Sequence, residues 1–307
     1  MKISVVIPTF NNLELLKRTI FCLENQLLPF SDFEVIVIDD GSSDGTREYL
    51  QSYDKPMQVR PLFNDINLGR SRSRNRGIFA ARYELTVFLD ADREVAVDFL
   101  KIHRDAQKQG PQVSIGRMKF HPNLPRSGIN RYLEKRGAYR KIHRQNLPGR
   151  YFISCNSSLP TKILHDVGGF DENIVHYGGE DLELGHRLEK ILPIRALPQA
   201  LDYHNHTRNF DDFFDIVFGY GKYSLPYVLQ KHPELRREIK LDNIPPQNPR
   251  DYFLAFLCSK SIYNVIKILG KLEIVPDICY SYLIFRNYRA GFLESLREIT
   301  SENNNTD

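Results

Sequence analysis

The chain has 307 residues, which is enough for one large α/β domain and an accessory region. Hydrophobic residues make up 41% and charged residues 26%, an ordinary composition for a soluble protein. The formal net charge of +4 is small, so charge alone gives no indication of a nucleic-acid partner.

Strands and helices alternate through the first 120 residues. Nearly continuous apolar segments predict strands at residues 2–8, 33–40, 57–63, 84–92 and 112–120. Helical spacing of apolar residues and capping residues predict helices at residues 12–27, 43–53, 71–82 and 96–110. Alternation of this kind predicts an α/β fold with a mainly parallel sheet covered by helices on both faces.

Three of these predicted strands end in polar residues. The first ends at Thr9, the second at Asp39 and Asp40, and the fourth at Asp90 and Asp92. Because ligands of parallel α/β sheets bind beyond the carboxyl ends of the strands, we expect these side chains to meet at one edge.

The Asp90-x-Asp92 pair is a candidate metal site. The chain has no P-loop motif, and Gly219-Tyr-Gly221 lacks the third glycine of a dinucleotide fingerprint. If phosphates bind, a divalent cation held by carboxylates would neutralise them. The alternative is that the two aspartates form a helix cap or a polar turn.

A second pair of carboxylates, Glu180 and Asp181, follows Gly178-Gly179 and opens a predicted helix. The helix dipole stabilises an anion there, and such an anion could accept a proton from a hydroxyl. The alternative is a simple N-cap pair. Further along, His204 and His206 lie on one side of an extended segment, where either could reach a metal or serve a structural role.

From about residue 210 the sequence becomes aromatic with helical spacing, which predicts a helical extension over residues 210–298 and a disordered tail over 299–307. These helices are expected to be packing elements, with contact to the inner membrane leaflet as the alternative.

The stretch from residue 126 to 150 is rich in basic residues. They include Arg131, Lys135, Arg136, Arg140, Lys141 and Arg144. This stretch is either a solvated surface loop or a mobile loop that meets an anionic acceptor.

The four cysteines are far apart, which fits neither a zinc site nor a disulfide framework and favours a reducing cytosol. The apolar segment after Lys2 is too short for a signal-peptide core, and charged residues interrupt every long apolar stretch. We therefore expect a cytoplasmic protein that contacts the membrane face peripherally if at all.

Six segments resemble the motifs of one known family. In chain order they are VVIPTFNN (5–12), VIVIDDGSSDGT (35–46), NLGRSRSRNRG (67–77), VFLDAD (87–92), GGFDE (168–172) and GGEDLELGHRL (178–188). Together they resemble the family 2 glycosyltransferases, which have the nucleotide-binding GT-A fold. The resemblance covers roughly residues 1–207 and implies a glycosyltransferase domain over residues 1–209. Tyr177 departs from relatives in which tryptophan often precedes the glycine pair.

The resemblance implies a nucleotide-binding set. Its members are Pro8, Thr9, Phe10, Asn11, Asp39, Asp40, Arg70, Arg74, Asp90 and Ala91. In this reading Pro8, Thr9 and Phe10 line the base pocket. Asp40 binds the base, typically uracil, with Asp39 less directly involved. Arg70 or Arg74 approaches the base or the diphosphate.

The resemblance also implies a metal site and a base. Asp92 would ligate Mn²⁺ or Mg²⁺, and Asp90 would contact the ribose or the metal through water. His204, in preference to His206, would complete the metal site. Asp181 would be the catalytic base, and Glu180 would position the acceptor.

The implied activity is an inverting, metal-dependent glycosyl transfer of hexosyltransferase type. The donor would be a nucleoside diphosphate sugar, with UDP favoured. The acceptor would be a hydroxyl of a glycan or of a lipid-linked molecule. The Gln-x-x-Arg-Trp motif of processive synthases is absent, which favours addition of one sugar per encounter. Two alternatives stay open. A sugar-1-phosphate nucleotidyltransferase would carry a glycine-rich loop after the first strand, and a non-catalytic sugar-nucleotide binding module would lack part of the carboxylate set.

Overall fold

The computed structural model describes residues 1–138, 146–242, 244 and 249–304. Three basic residues of the stretch 126–150 lie outside these ranges, namely Arg140, Lys141 and Arg144. The strands are Ile3–Thr9 (β1), Phe33–Asp39 (β2), Val59–Phe63 (β3), Leu85–Leu89 (β4), Arg93–Val95 (β5), Val113–Phe120 (β6), Asn156–Pro160 (β7) and Ile194–His204 (β8).

The helices fall into a group that covers the sheet and a group that follows it. They are Leu13–Glu24 (α1), Thr46–Gln51 (α2), Arg70–Ala80 (α3), Phe99–Ala106 (α4), Gly128–Glu134 (α5), Thr161–Asp166 (α6), Glu180–Leu188 (α7), Phe210–Gly219 (α8), Leu225–Lys231 (α9), Leu235–Glu238 (α10), Pro249–Leu257 (α11), Lys260–Lys271 (α12) and Asp277–Asn304 (α13). A single π-helical turn, Tyr220–Ser224, connects α8 to α9.

The described strands form one eight-stranded sheet in the order β3-β2-β1-β4-β7-β6-β8-β5. The predicted parallel core is confirmed, because β1 pairs in parallel with β2 and β4, and β2 pairs in parallel with β3. Three of the described strands were not predicted. β7 lies antiparallel between β4 and β6, and β8 pairs in parallel with β6. The short β5 pairs antiparallel with β8 at the edge of the sheet.

The sheet is buried on both faces because alternate side chains of its central strands enter different cores. Val5 and Ile7 pack in one cluster with Leu16 of α1 and Phe99 of α4. The opposite cluster holds the intervening Val6 together with residues of α3, α6 and α7. Strands buried on both sides in this way explain the nearly continuous apolar segments of the sequence.

The chain divides into two compact units, and their boundaries differ in part from the prediction. The first unit comprises Met1–Pro125, Glu134–Val175 and Glu180–Thr207, and the second comprises Arg126–Leu133, His176–Gly179 and Arg208–Asp307. The second unit thus begins near the predicted boundary at 210 but also takes two short earlier segments. Sequence patterns could not assign these segments, because only tertiary packing places them.

The second unit is helical, as predicted, and has its own core. Tyr280 and Leu283 of α13 pack with Phe214 of α8 and Tyr132 of α5. Part of the basic stretch is therefore helix α5 with a buried Tyr132 rather than a surface loop, because its apolar side chains complete this core.

The last helix continues past the start of the predicted disordered tail. It ends at Asn304, and Lys222 bridges its Glu294 and Glu298 carboxylates at 2.7 Å each. These contacts bind the later part of α13 to the turn Tyr220–Ser224 within the second unit. The local composition does not reveal them.

Among the residues described, no single helix has the length and apolar character needed to cross a membrane. Asp251–Leu257 and Lys260–Lys271 meet those two criteria only as a pair, with a bend of 49° between them.

Candidate active site

The loop after β1 is bound to the loop after β2. The backbone N–H of Asn11 donates to Ser42 Oγ (2.9 Å), and the N–H of Ser43 donates to Asn11 Oδ1 (2.8 Å). Asn11 has a φ of +47°, a conformation that asparagine adopts more readily than most residues. The neighbouring Phe10 is 46% exposed, so its ring is accessible at the rim of the sheet.

Asp40 organises the loop that leads into α3. Its Oδ1 accepts hydrogen bonds from Asn64 Nδ2 (2.6 Å) and the N–H of Leu68 (2.9 Å), and its Oδ2 accepts from the N–H of Gly69 (2.9 Å). Both oxygens are thus engaged within the protein. The sequence assigned Asp40 to the nucleotide base, and that role stays a prediction.

Asp39 keeps more hydrogen-bonding capacity than Asp40. Its Oδ1 accepts from the N–H of Ser42 (3.0 Å). Its buried Oδ2 and the buried Thr9 Oγ1 have no hydrogen-bond partner among the residues described. Because such groups are costly to leave unpaired, they are the better candidates for polar contact with a ligand.

Arg74 of α3 connects the two carboxylate motifs. Its guanidinium is buried, and it lies 3.0 Å from Asp90 Oδ1 and 3.7 Å from Glu180 Oε1. Burial acts to lower the pKa of Arg74, but Asp90, Asp181 and Glu180 together raise it above its usual range. Arg70 also lies 3.4 Å from Glu180. The predicted arginines and carboxylates are therefore brought together.

Asp181, at the start of α7, is next to the segment that adjoins Asp90. The N–H of Ser154 donates to Asp181 Oδ1 (3.2 Å), and the N–H of Asp90 donates to the carbonyl of Cys155 (3.4 Å). Burial, followed by the nearby Glu180 charge, raises the pKa of Asp181 to about 6. A carboxylate with this pKa can accept a proton near neutral pH.

The second aspartate of the pair contacts a histidine. Asp92 Oδ2 lies 2.9 Å from His204 Nε2, and Asp92 Oδ1 lies 3.3 Å from Arg93 Nε. Burial acts to raise the pKa of Asp92, but the His204 hydrogen bond and the Arg93 charge hold it below its usual range. His206 is exposed, with its ring 6.3 Å from that of His204.

The donor set suits a divalent cation. Carboxylates of Asp90 and Asp92 are the hard oxygen ligands that Mg²⁺ and Mn²⁺ prefer, and His204 adds an imidazole. Asp92 Oδ1 is buried and accepts no hydrogen bond from the described residues, and its one close cationic neighbour is Arg93 Nε at 3.3 Å, so this oxygen keeps capacity for a further ligand. His204 contacts Asp92 directly, and its role as a metal ligand in preference to His206 stays a prediction.

Two other predicted nucleotide-site residues lie at the same strand ends. Pro8 is partly buried in β1, and Ala91 is buried between the two aspartates. The carbonyl of Ala91 accepts a hydrogen bond from Thr19 Oγ1 (2.8 Å), which ties this loop to α1.

Three residues at the site were not predicted. Asn64 binds Asp40, Ser154 binds Asp181, and Arg93 binds both Asp92 and Asp202, the last at 2.9 Å. Arg93 follows Asp92 directly in the sequence and could have been noticed for that reason. Asn64 and Ser154 carry no local signal.

The sequence matches the family model described as glycosyl transferase family 2 over residues 4–168. It also matches a model described as N-terminal domain of galactosyltransferase over residues 138–208. The first of these covers more than half of the chain.

Similar sequences include enzymes with named activities. Validoxylamine A glucosyltransferase of Streptomyces hygroscopicus subsp. jinggangensis is 32% identical over 216 residues, which cover 61% of this chain and 51% of that protein. Chondroitin synthase of Escherichia coli is 27% identical over 306 residues, which cover 86% of this chain and 44% of that protein. The chain thus spans about half the length of these relatives.

Solved structures share the fold. The mannosyltransferase PcManGT from Pyrobaculum calidifontis, in complex with GDP-Man and Mn²⁺, has a TM-score of 0.66 at 15% identity, covering 96% of this chain and 87% of that one. TarS 1–349 of S. aureus, in complex with UDP-GlcNAc, has a TM-score of 0.55 at 18% identity, covering 97% and 92%.

Proposed function

The chain belongs to glycosyl transferase family 2, and from this we propose that it moves a sugar from a nucleoside diphosphate sugar to an acceptor hydroxyl, with inversion. The observation that carries the proposal is the position of Arg74, whose guanidinium contacts Asp90 of one motif and Glu180 of the other. Two carboxylate groups far apart in the sequence thereby share one rim, as a transfer between two substrates requires.

In the proposed reaction Asp181 accepts the proton of the acceptor hydroxyl. The hydroxyl oxygen bonds to the anomeric carbon, while the bond from that carbon to the diphosphate breaks and its electron pair leaves with the nucleoside diphosphate. One such displacement inverts the anomeric centre. Glu180 orients the acceptor, and its buried Oε2, which has no hydrogen-bond partner among the described residues, is free to accept from it.

The leaving group needs positive charge near it. A divalent cation held by Asp92, Asp90 and His204 would neutralise the diphosphate. Arg74 lies beside Asp90 and Arg70 lies beside Glu180, and both arginines would supply further positive charge to the departing diphosphate.

We place the nucleotide base between the ring of Phe10 and the two oxygens without a partner among the described residues, Asp39 Oδ2 and Thr9 Oγ1. A ring exposed beside unpaired buried oxygens offers both a stacking surface and hydrogen-bond acceptors. UDP is the favoured nucleotide. UDP-GlcNAc in the TarS complex supports that choice. GDP-Man in the PcManGT complex makes GDP the second nucleotide to be tested.

For the acceptor we propose a glycan or lipid-linked hydroxyl. The name of one relative, chondroitin synthase, supports a glycan. Arg131 of the basic stretch already faces Glu273 at 3.4 Å, so an anionic acceptor would have to compete for it.

We also propose a cytoplasmic location with peripheral contact at the membrane face. In support, α11, α12 and the segment that follows expose large apolar side chains. They are Tyr252, Phe253, Phe256, Val265, Ile268, Leu269, Leu272, Ile274 and Ile278. The full chain should float with anionic vesicles, and Ile268→Ser with Leu272→Ser should reduce this. Equal recovery of both proteins in the bottom fraction would contradict the contact.

A thermal-shift screen of UDP, GDP and dTDP sugars, with and without Mn²⁺, tests the donor. We expect one nucleotide class to raise the melting temperature in a Mn²⁺-dependent manner. Addition of an acceptor should then release the nucleoside diphosphate. Release of pyrophosphate from a nucleoside triphosphate and a sugar phosphate would instead indicate a nucleotidyltransferase. Tight binding without any turnover would indicate a binding module.

A further inference from the structure

A row of buried side chains runs from Asp92 into the sheet. Arg93 lies with Nε 3.3 Å from Asp92 Oδ1, and on its other side Nη1 donates to Asp202 Oδ2 at 2.9 Å. Asp202 has no exposed surface, and Arg93 is 6% exposed. Arg93 Nη2 also lies 4.0 Å from Asp90 Oδ2. The guanidinium is therefore held between the two carboxylates of the candidate metal site and Asp202 beneath them.

Asn156 of β7 fixes the second oxygen of Asp202. Its Nδ2 donates to Asp202 Oδ1 (2.7 Å) and to the carbonyl of Ala200 (3.0 Å). Both oxygens of Asp202 are thus engaged, one by Arg93 and one by Asn156. Rotation of the Asp202 carboxylate would break at least one of these hydrogen bonds.

His103 and Ser158 fix Asn156 in turn. Because Nδ2 must face the Asp202 carboxylate, Asn156 Oδ1 accepts from His103 Nε2 (3.1 Å), and His103 Nδ1 then accepts from Ser158 Oγ (2.8 Å). A Cβ at Gly116 would lie 1.9 Å from Asn156 Oδ1, so only glycine leaves room for the amide. Arg93, Asp202, Asn156, His103 and Ser158 are all buried, so a change in the orientation of one of these side chains would cost a buried hydrogen bond.

The strand pairing directs this row at the metal site. Arg93 of β5 is opposite His204 of β8, and Asp202 lies two residues before His204 on the same face of that strand. The two groups that contact Asp92, namely Arg93 and His204, are consequently set by a single antiparallel pairing.

We propose that Asp202 and Asn156 are positioning residues that prepare Asp92 for metal binding through Arg93. The inference rests on the proposed metal role of Asp92. A guanidinium beside a dication repels it, unless a carboxylate neutralises the guanidinium and holds it in place. Asp202 does both, and Asn156 keeps Asp202 aimed at Arg93. Without Asp202, Arg93 is free to pair more closely with Asp92 and to oppose the cation.

The test is a titration of the full chain with Mn²⁺ alone. The electron paramagnetic resonance signal of the free ion is monitored throughout and gives the Mn²⁺ affinity. Asp202→Asn should weaken Mn²⁺ binding by about 10- to 100-fold, the usual effect of losing a group that orients a metal ligand. Asn156→Ser, which leaves the Arg93–Asp202 ion pair in place, should weaken binding less and provides a milder variant in case Asp202→Asn does not fold.

Glu34→Gln is the matched control. Glu34 is also a fully buried strand carboxylate paired with an arginine, Arg60, and it accepts from Ser4 Oγ at 2.7 Å. The same change from carboxylate to amide there should lower stability and leave Mn²⁺ affinity unchanged.

Action through Arg93 has its own test. In an Arg93→Met background, Asp202→Asn should cause no further loss of Mn²⁺ affinity, because the charge it neutralises is gone. A full additional loss in that background would contradict the route through Arg93. Unchanged Mn²⁺ affinity in both Asp202→Asn and Asn156→Ser would overturn the inference while leaving the proposed function intact. Absence of Mn²⁺ binding in the unaltered chain would overturn the metal role of Asp92 and this inference with it.

Discussion

Asp181 is the residue whose chemistry is most specific. It lies beside Glu180 and Arg74, which act on its proton affinity in opposite directions, and burial together with Glu180 prevails. Its pKa of about 6 keeps it ionised at neutral pH and also makes it a better proton acceptor than an exposed aspartate.

Replacement of Asp181 by asparagine should lower turnover by about 10²-fold or more, the scale of a lost general base. The amide has nearly the same shape but cannot take the proton. Donor binding, measured by the thermal shift with nucleotide and Mn²⁺, should be nearly unchanged. Turnover close to that of the unaltered chain would remove Asp181 from this role.

The same pKa sets the direction of the pH dependence. Below about pH 6 Asp181 is protonated, so kcat/KM should fall about tenfold per pH unit; above it, kcat/KM should level off. Asp202, whose pKa burial also raises to about 6, titrates in the same range. The pH dependence of the residual kcat/KM of Asp181→Asn distinguishes the two aspartates. The fall below about pH 6 should disappear in this variant only if titration of Asp181, and not of Asp202, causes it.

A site residue could be predicted from the sequence only where its neighbours along the chain mark it. Asp90, Asp92, Glu180 and Asp181 stand out locally, because each pair of charges interrupts or follows an apolar pattern. Asn156 does not stand out. Its importance comes from the pairing of β7 with β4 and β6, which no local pattern specifies.

At the scale of elements, α7 carries Glu180 and Asp181 and is positioned by a close backbone approach. A Cβ at Gly185 would lie 2.2 Å from the carbonyl oxygen of Gly149 and 2.6 Å from Phe152 Cβ. Because the nearest atom belongs to the backbone, it cannot move aside at small cost.

Gly185→Ala should therefore destabilise the protein by about 1–3 kcal/mol, as overpacking usually does, and should lower turnover by displacing α7. Urea unfolding and steady-state kinetics measure both effects. The control is Gly219→Ala in α8, where the nearest atom is 3.9 Å from the added Cβ. We expect stability there to be unchanged or raised by up to about 1 kcal/mol. Equal stability of the two variants would contradict the packing argument.

The elements themselves were predictable to different degrees. β1, β2 and β4 are mainly apolar, with few polar residues in each, and the predicted strands overlap all of them. β7 was missed because its sequence, NSSLP, is polar. Its buried Ser158 is satisfied by His103, and its buried Asn156 by Asp202, rather than by apolar packing.

At the scale of the whole molecule, each unit has its own core. The first has a core on each face of the sheet, and the second has a separate helical core around Tyr280. Cores that share no residues can unfold as separate cooperative units.

We therefore expect two calorimetric transitions. UDP with Mn²⁺ at 100 times its Kd should stabilise only the first unit, by about 2.7 kcal/mol, and removal of the metal with EDTA should reverse this. Lys222→Met, which breaks the bridge to Glu294 and Glu298, should lower only the second transition and so identify it. A single transition that shifts as a whole with ligand would contradict independent unfolding.

The discontinuous second unit has a consequence for biosynthesis. Tyr132 Oη pairs with Ser281 Oγ at 2.7 Å, across 149 positions of the chain. At elongation rates of about 5–20 residues per second, Tyr132 leaves the ribosome roughly 7–30 s before its partner is made. During that interval the apolar face of α5 lacks the cover that α13 provides, so a nascent-chain chaperone or slowed translation would act at this stage.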